Sequence, residues 1–131
     1  MRQVAVVAVR GSRDGAELCL IRRKDSEKWK IPKGFIDRGE RPEEAALKEA
    51  LEEAGIEGRL IGDTIGTYDY NKGRRSLTVS VYVMEVLEEH GHWQEAGLRD
   101  RCWRSLEEGT KLLAGHPVMT LWDRVKERLE V

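Results

Sequence analysis

Between Pro42 and Gly55 the chain reads PEEAALKEALEEAG, a segment with both of its ends marked. Proline suits the first turn of a helix, where its missing N–H would be unsatisfied anyway, and glycine suits the residue just past the end. At about 100° per residue, Leu47, Ala50, Leu51 and Ala54 fall on one side of this helix. Glu49, Glu52 and Glu53 fan across the other, so the leucine side is expected to be buried and three carboxylates presented opposite it. Like charges at i,i+4 and acids near a helix C-terminus are both unfavourable. A compensating positive group is therefore expected nearby, and clustered carboxylates are the oxygen ligands that a hard divalent cation takes.

The flanks read as strands. Val4–Val9 and Leu18–Ile21 are apolar runs separated by GSRDG, which predicts a hairpin. A basic loop, RRKDSEKWK, follows at residues 22–30. Beyond the helix, Leu60–Tyr70 and Leu77–Leu87 are strand-like runs around the turn NKGRR, followed by the polar loop EEHGHWQEAG. Cys102–Trp103 predicts a short last strand, and Val118, Leu121, Trp122, Val125 and Leu129 recur at helical spacing. Strands alternating with helices in a chain of 131 residues indicate one α/β domain, residues 1–131.

A net charge of −1 argues against a general nucleic-acid binder, so any site for a polyanion has to be local. The first apolar run is too short for a signal-peptide core or a membrane span, and Cys19 and Cys102 lack metal-site spacing. The chain is expected in the cytoplasm, with both thiols reduced and without a membrane partner.

Quoted whole, residues 34–56 are GFIDRGERPEEAALKEALEEAGI. This stretch resembles the Nudix box, G-x5-E-x7-R-E-U-x-E-E-x-G-U with U apolar. Gly34, Glu40, Glu49, Ala50, Glu52, Glu53, Gly55 and Ile56 are in register, and Lys48 stands where the family usually has arginine. The resemblance implies an α/β/α sandwich with a mixed central sheet and a loop–helix–loop unit carrying Mg²⁺, with Mn²⁺ as a substitute. It makes Glu52 and Glu53 metal ligands, Glu49 a ligand or the base for the attacking water, and the backbone carbonyl of Lys33 a further ligand. Gly34, Glu40, Lys48 and Gly55 are implied as structural parts of the box. Lysine is a point charge where arginine is a planar fork, so less rigidity is expected at Glu49.

Outside the box, WKIPKG at Trp29–Gly34, EVLEE at Glu85–Glu89, Trp93, LRDRCW at Leu98–Trp103 and KLLAGHPV at Lys111–Val118 resemble diphosphoinositol polyphosphate phosphohydrolases. The first of these also resembles diadenosine polyphosphate hydrolases, and the diphosphoinositol enzymes commonly have glycine where Lys33 stands. The implied activity is cleavage of phosphoanhydrides in diphosphoinositol polyphosphates, dinucleoside polyphosphates or both. By that resemblance Arg10, Arg22, Lys24, Lys33, Arg75 and Arg99 contact the phosphates of a small polyphosphorylated substrate; taken singly, each reads equally well as surface charge. Rival readings are a nucleoside triphosphate or RNA 5′-end pyrophosphohydrolase, and a silent binding module, which would be expected to lose the box acids retained here. A further carboxylate is open among Glu85, Glu88, Glu89 and Glu95. His90 and His92 read as solvent-exposed, His116 as a local structural residue or a phosphate contact, and Trp93, Trp103 and Trp122 as packing residues. Trp29 and Tyr70 could stack on a base.

Overall fold

The computed structural model describes residues 2–11 and 15–130. They form a seven-stranded mixed sheet: β1 (Arg2–Arg10), β2 (Glu17–Arg23), β3 (Lys33–Phe35), β4 (Ile56–Leu60), β5 (Gly66–Lys72), β6 (Arg75–Glu89) and β7 (Arg99–Ser105). The central order is β4-β6-β1-β2-β7, with β3 added on β1 and β5 on β6. Only β1 and β6 run parallel among the described pairs. Strand β1 is buried without a break from Gln3 to Val9, as a strand covered on both faces must be.

Its alternate residues enter two cores. Val4, Val6 and Ala8 face helix α1 (Pro42–Ala54) through Ala45, Ala46, Ala50 and Ala54. Ala5, Val7 and Val9 face the other layer, where a 3₁₀ turn (Pro117–Leu121) and α3 (Trp122–Leu129) contribute Val118, Leu121, Trp122 and Val125. A short α2 (Leu106–Leu112) follows β7, started by Ser105, whose hydroxyl accepts from Glu108 N–H. The result is the α/β/α arrangement with a mixed sheet.

Several expectations need correction. Residues 60–70 are not one strand: the chain leaves β4 at Leu60 and rejoins the sheet at Gly66. The last strand runs the length of β2 rather than two residues, and α2, β3 and β4 are additional elements. The β1–β2 hairpin pairs Val9 with Leu18 as expected, while Ser12, Arg13 and Asp14 of its turn lie outside the described residues.

The buried side of α1 also differs. Leu47 and Leu51 are 39% and 38% exposed, and the sheet-facing residues are four alanines and Glu53. Small side chains let the helix lie close against β1. Ala50 and Ala54 are buried as expected, while Leu47 and Leu51, expected inside, are exposed and Glu53, expected outside, is buried.

Candidate metal centre and substrate cleft

Strand β3 sets the site. Ile36 N–H donates to Arg2 C=O and Val6 N–H to Pro32 C=O, so the bonded pairs alternate past Lys33, which pairs with Ala5. In an antiparallel ladder the residue between bonded pairs turns both its N–H and its C=O away from the neighbour. The Lys33 N–H uses this freedom to donate to Glu53 Oε1 at 2.9 Å. Its carbonyl leaves the ladder on the same side.

The other Glu53 oxygen, Oε2, accepts from Arg99 Nη2 at 3.1 Å, and both side chains are about nine-tenths buried. Arg99 Nε also donates to Glu95 Oε1 at 2.9 Å. Burial pushes the Glu53 carboxyl up, opposed by the Lys33 N–H and the Arg99 charge. Glu49 is pushed up to about 7, first by burial and then by the charges of Glu53 and Glu52. A Cβ at Gly34 would fall inside the Glu49 carboxyl group, so any side chain there has to displace that carboxyl.

The C-terminal end of α1 has no basic residue of its own in its last turn. The loop after β6 and strand β7 satisfy its final carbonyls instead. Glu95 N–H donates to Glu52 O, Trp93 Nε1 to Glu53 O, Arg101 Nη1 to Ala54 O and His90 N–H to Gly55 O, all between 2.8 and 3.0 Å. Arg101 brings positive charge to the negative end of the helix dipole. Gly55 takes φ 66°, and a side chain there would strike Trp93. At the other end, Lys48 holds Asp37 and Glu40 at 2.8 and 2.9 Å, while Glu40 accepts from Asp37 N–H. Lys48 thus closes the box loop and makes no ion pair with Glu49, whose carboxyl lies against Gly34.

Glu49, Glu52 and Glu53 line one wall of a cavity of about 510 Å³; Gln3, Lys30, Lys33, Tyr70 and Lys72 line the other. A neighbouring cavity of about 380 Å³ shares Lys30, Lys33 and Tyr70 and adds Arg23, Lys28 and His116. Its lining contains no carboxylate. A larger cavity, about 770 Å³, lies at the opposite end of β1 against Val9, Leu60 and Leu129. Its arginines are occupied, Arg59 by Glu85 and Arg128 by the carbonyls of Ile61 and Asp63, and the box glutamates do not reach it.

Of the six bases expected on substrate, Lys33 lines both smaller cavities. Arg75 pairs with Lys72 across the β5–β6 hairpin, which puts both side chains on one face of the sheet; Lys72 lines the cavity and Arg75 is not among its lining residues. The rest are not brought together. Arg10 is seven residues along β1 from Gln3, roughly 23 Å, and is held by Glu17, Glu89 and the face of Trp103. Arg22 and Lys24 share Asp100, and Arg22 lies over Trp29. Arg99 is buried against Glu53 and Glu95. The bases found in their place, Arg23, Lys28, Lys30 and Lys72, stood in the basic loop and the hairpin turn, where only strand pairing could single them out.

Glu57, Glu88 and His90 also group their ligating atoms within 4.8 Å of one another, with His90 Nε2 2.7 Å from Glu57. This trio lies at the surface, in β4, in β6 and just beyond β6. His116 caps the 3₁₀ turn, its Nδ1 accepting from Val118 N–H at 3.0 Å. Cys19 and Cys102 are free thiols on opposite faces of the sheet. No helix among the described residues is long and apolar enough to cross a membrane.

Comparison with known proteins agrees with this geometry. The family model described as NUDIX domain matches residues 1–122. Diphosphoinositol polyphosphate phosphohydrolase 3-alpha of Mus musculus is 30% identical over 117 residues, covering 88% of this chain and 70% of the relative. Among solved structures, a C. elegans Ap4A hydrolase binary complex superposes with TM-score 0.76 at 22% identity, covering 98% of this chain and 97% of that one. The NUDIX domain of Shewanella oneidensis NrtR complexed with ADP ribose gives TM-score 0.76 at 20% identity, covering 98% and 88%. The chain belongs to the Nudix family and is a hydrolase that cleaves phosphoanhydrides.

Proposed function

We propose that this chain, acting as one cytoplasmic domain, is a Mg²⁺-dependent pyrophosphohydrolase of diphosphoinositol polyphosphates and dinucleoside polyphosphates, with Mn²⁺ as a substitute metal. The observation that carries the reading is the contact between a carboxylate-lined cavity and a base-lined one through Lys30, Lys33 and Tyr70. The donor set fits a hard cation: three carboxylates line one wall, where burial first and then the charges of Glu53 and Glu52 raise Glu49, and the Lys33 carbonyl faces the same side. Glu49, Glu52, Glu53 and that carbonyl would hold the metal. A bound Mg²⁺ neutralises phosphate charge and lowers the pKa of a coordinated water.

The protein supplies the rest. Where Glu49 is not itself a ligand, its ionised carboxylate would accept the proton of the attacking water. Glu53 is fixed by Lys33 N–H and Arg99, so its carboxylate does not reorganise during reaction. Lys33 and Lys30 stand where the substrate passes from one cavity to the other, and Arg23, Lys28 and Lys30 supply charge for the phosphates beyond the cleaved bond. The 30% identical diphosphoinositol relative supports the same class of substrate.

The test is product release with Mg²⁺ from diphosphoinositol pentakisphosphate, diadenosine polyphosphates, nucleoside triphosphates and triphosphorylated RNA at one salt concentration. Preference for the first two supports the reading. Preference for triphosphates or RNA overturns the substrate while leaving the metal centre in place.

A further inference from the structure

Gln3, Tyr70 and Lys33 come from β1, β5 and β3 and meet in one hydrogen-bonded line. Lys33 Nζ donates to the Tyr70 hydroxyl at 2.7 Å, and that hydroxyl donates to Gln3 Oε1 at 2.7 Å. Nζ also stands 4.1 Å from the centroid of the Tyr70 ring. Gln3 is only 5% exposed, so the far end of the line is anchored inside the sheet. A buried amide is costly unless it is bonded, and the Tyr70 hydroxyl answers it.

A lysine ammonium is a point charge on a flexible stem, and its position is set by what surrounds it. Among the described residues no carboxylate lies within ion-pair distance of Lys33 Nζ. An ammonium has three donors. Tyr70 takes one, and the others are left at the wall common to both cavities.

We propose that Tyr70 and Gln3 are positioning residues that fix the Lys33 ammonium against the phosphoanhydride, acting on the substrate only through Lys33. The inference rests on the phosphoanhydride reading of the cleft. It assigns Tyr70 to the diphosphate common to all substrates, and its hydroxyl rather than its ring is the working part. Phenylalanine keeps the ring and removes the hydroxyl, so stacking on a base survives Tyr70→Phe and positioning does not.

The experiment is a double-mutant cycle of Tyr70→Phe and Lys33→Met, read both in kcat/KM and in the Kd of imidodiphosphate with Mg²⁺. Tyr70→Phe is expected to weaken both about tenfold when Lys33 is present and less than about twofold in the Lys33→Met background. Gln3→Met, which reaches Lys33 only through the intact tyrosine, is expected to show the same coupling at about threefold. Tyr70→Phe or Gln3→Met effects that add to those of Lys33→Met overturn the positioning role, as does a Lys33→Met chain with unchanged kcat/KM and Kd. Absence of turnover on every phosphoanhydride, with coupling still present in imidodiphosphate binding, contradicts the proposed function and leaves the positioning standing.

Discussion

The backbone N–H of Lys33 and the carboxylate of Glu53 meet at 2.9 Å, and this contact ties the short strand β3 to the helix that carries the box glutamates. It depends on Lys33 falling between two bonded pairs of the β1–β3 ladder, which frees its polar groups for α1. Arg99 completes the seat from the opposite strand edge, and the two contacts leave Glu53 little rotational freedom.

Arg99→Leu is therefore expected to destabilise the protein by about 3 kcal/mol, since it leaves Glu53 with a buried charge that has lost its partner. Urea unfolding at neutral pH measures it. A change under about 0.5 kcal/mol, the size of an ordinary surface substitution, would show that Glu53 does not rely on the arginine.

Gly34→Ala is expected to leave the fold in place while displacing Glu49, because the new methyl group occupies the position of the Glu49 carboxyl. Turnover with Mg²⁺ should fall by about 100-fold, the scale on which a misplaced catalytic group acts. Full activity in a folded Gly34→Ala chain would mean that Glu49 has another productive position.

His116 gives a pH dependence. Burial first, then the charges of Lys33, Lys28 and Lys30, lower it from 6.5 to about 4. Between those values the unfolded chain binds a proton that the native chain does not, so stability falls as pH drops from 6.5 towards 4. Above 6.5 this contribution is constant. His116→Asn keeps a capping acceptor and does not titrate. The gap in urea midpoint between wild type and His116→Asn should shift in favour of the variant across that window, and parallel curves would contradict the assignment.

The sequence made α1 legible because its signals are local: Pro42 opens it and Gly55, at φ 66°, closes it. The inner face was legible only in Ala50 and Ala54, because hydrophobicity favoured Leu47 and Leu51 while close approach to β1 selects Ala45 and Ala46. The box glutamates were found through the resemblance of residues 34–56 to the Nudix box, which the spacing of the acids alone does not establish. Gln3, Tyr70, Lys30 and Lys72 were not found, since Gln3 reaches the cleft through the β1–β3 pairing, Tyr70 and Lys72 through the β5–β6 pairing, and Lys30 through its bridge to Ile21 of β2. Arg10 was misplaced for the same reason: a residue at a strand end can stand at either end of the sheet. Arg99 was expected on the substrate phosphates by family resemblance, and its burial against Glu53 becomes visible only when β7 is laid beside β2.

Glu53→Gln tests the central claim most directly, because it keeps the shape of the side chain and removes the charge that the metal needs. Nucleotide release from diadenosine tetraphosphate and phosphate release from diphosphoinositol pentakisphosphate would be titrated with Mg²⁺ for both chains. The expected result is Mg²⁺-dependent turnover in the wild type and a loss of about 100-fold or more in Glu53→Gln, with the fold retained. Equal turnover by the two chains, or turnover in the wild type that ignores Mg²⁺, would contradict the assignment of the metal centre to α1.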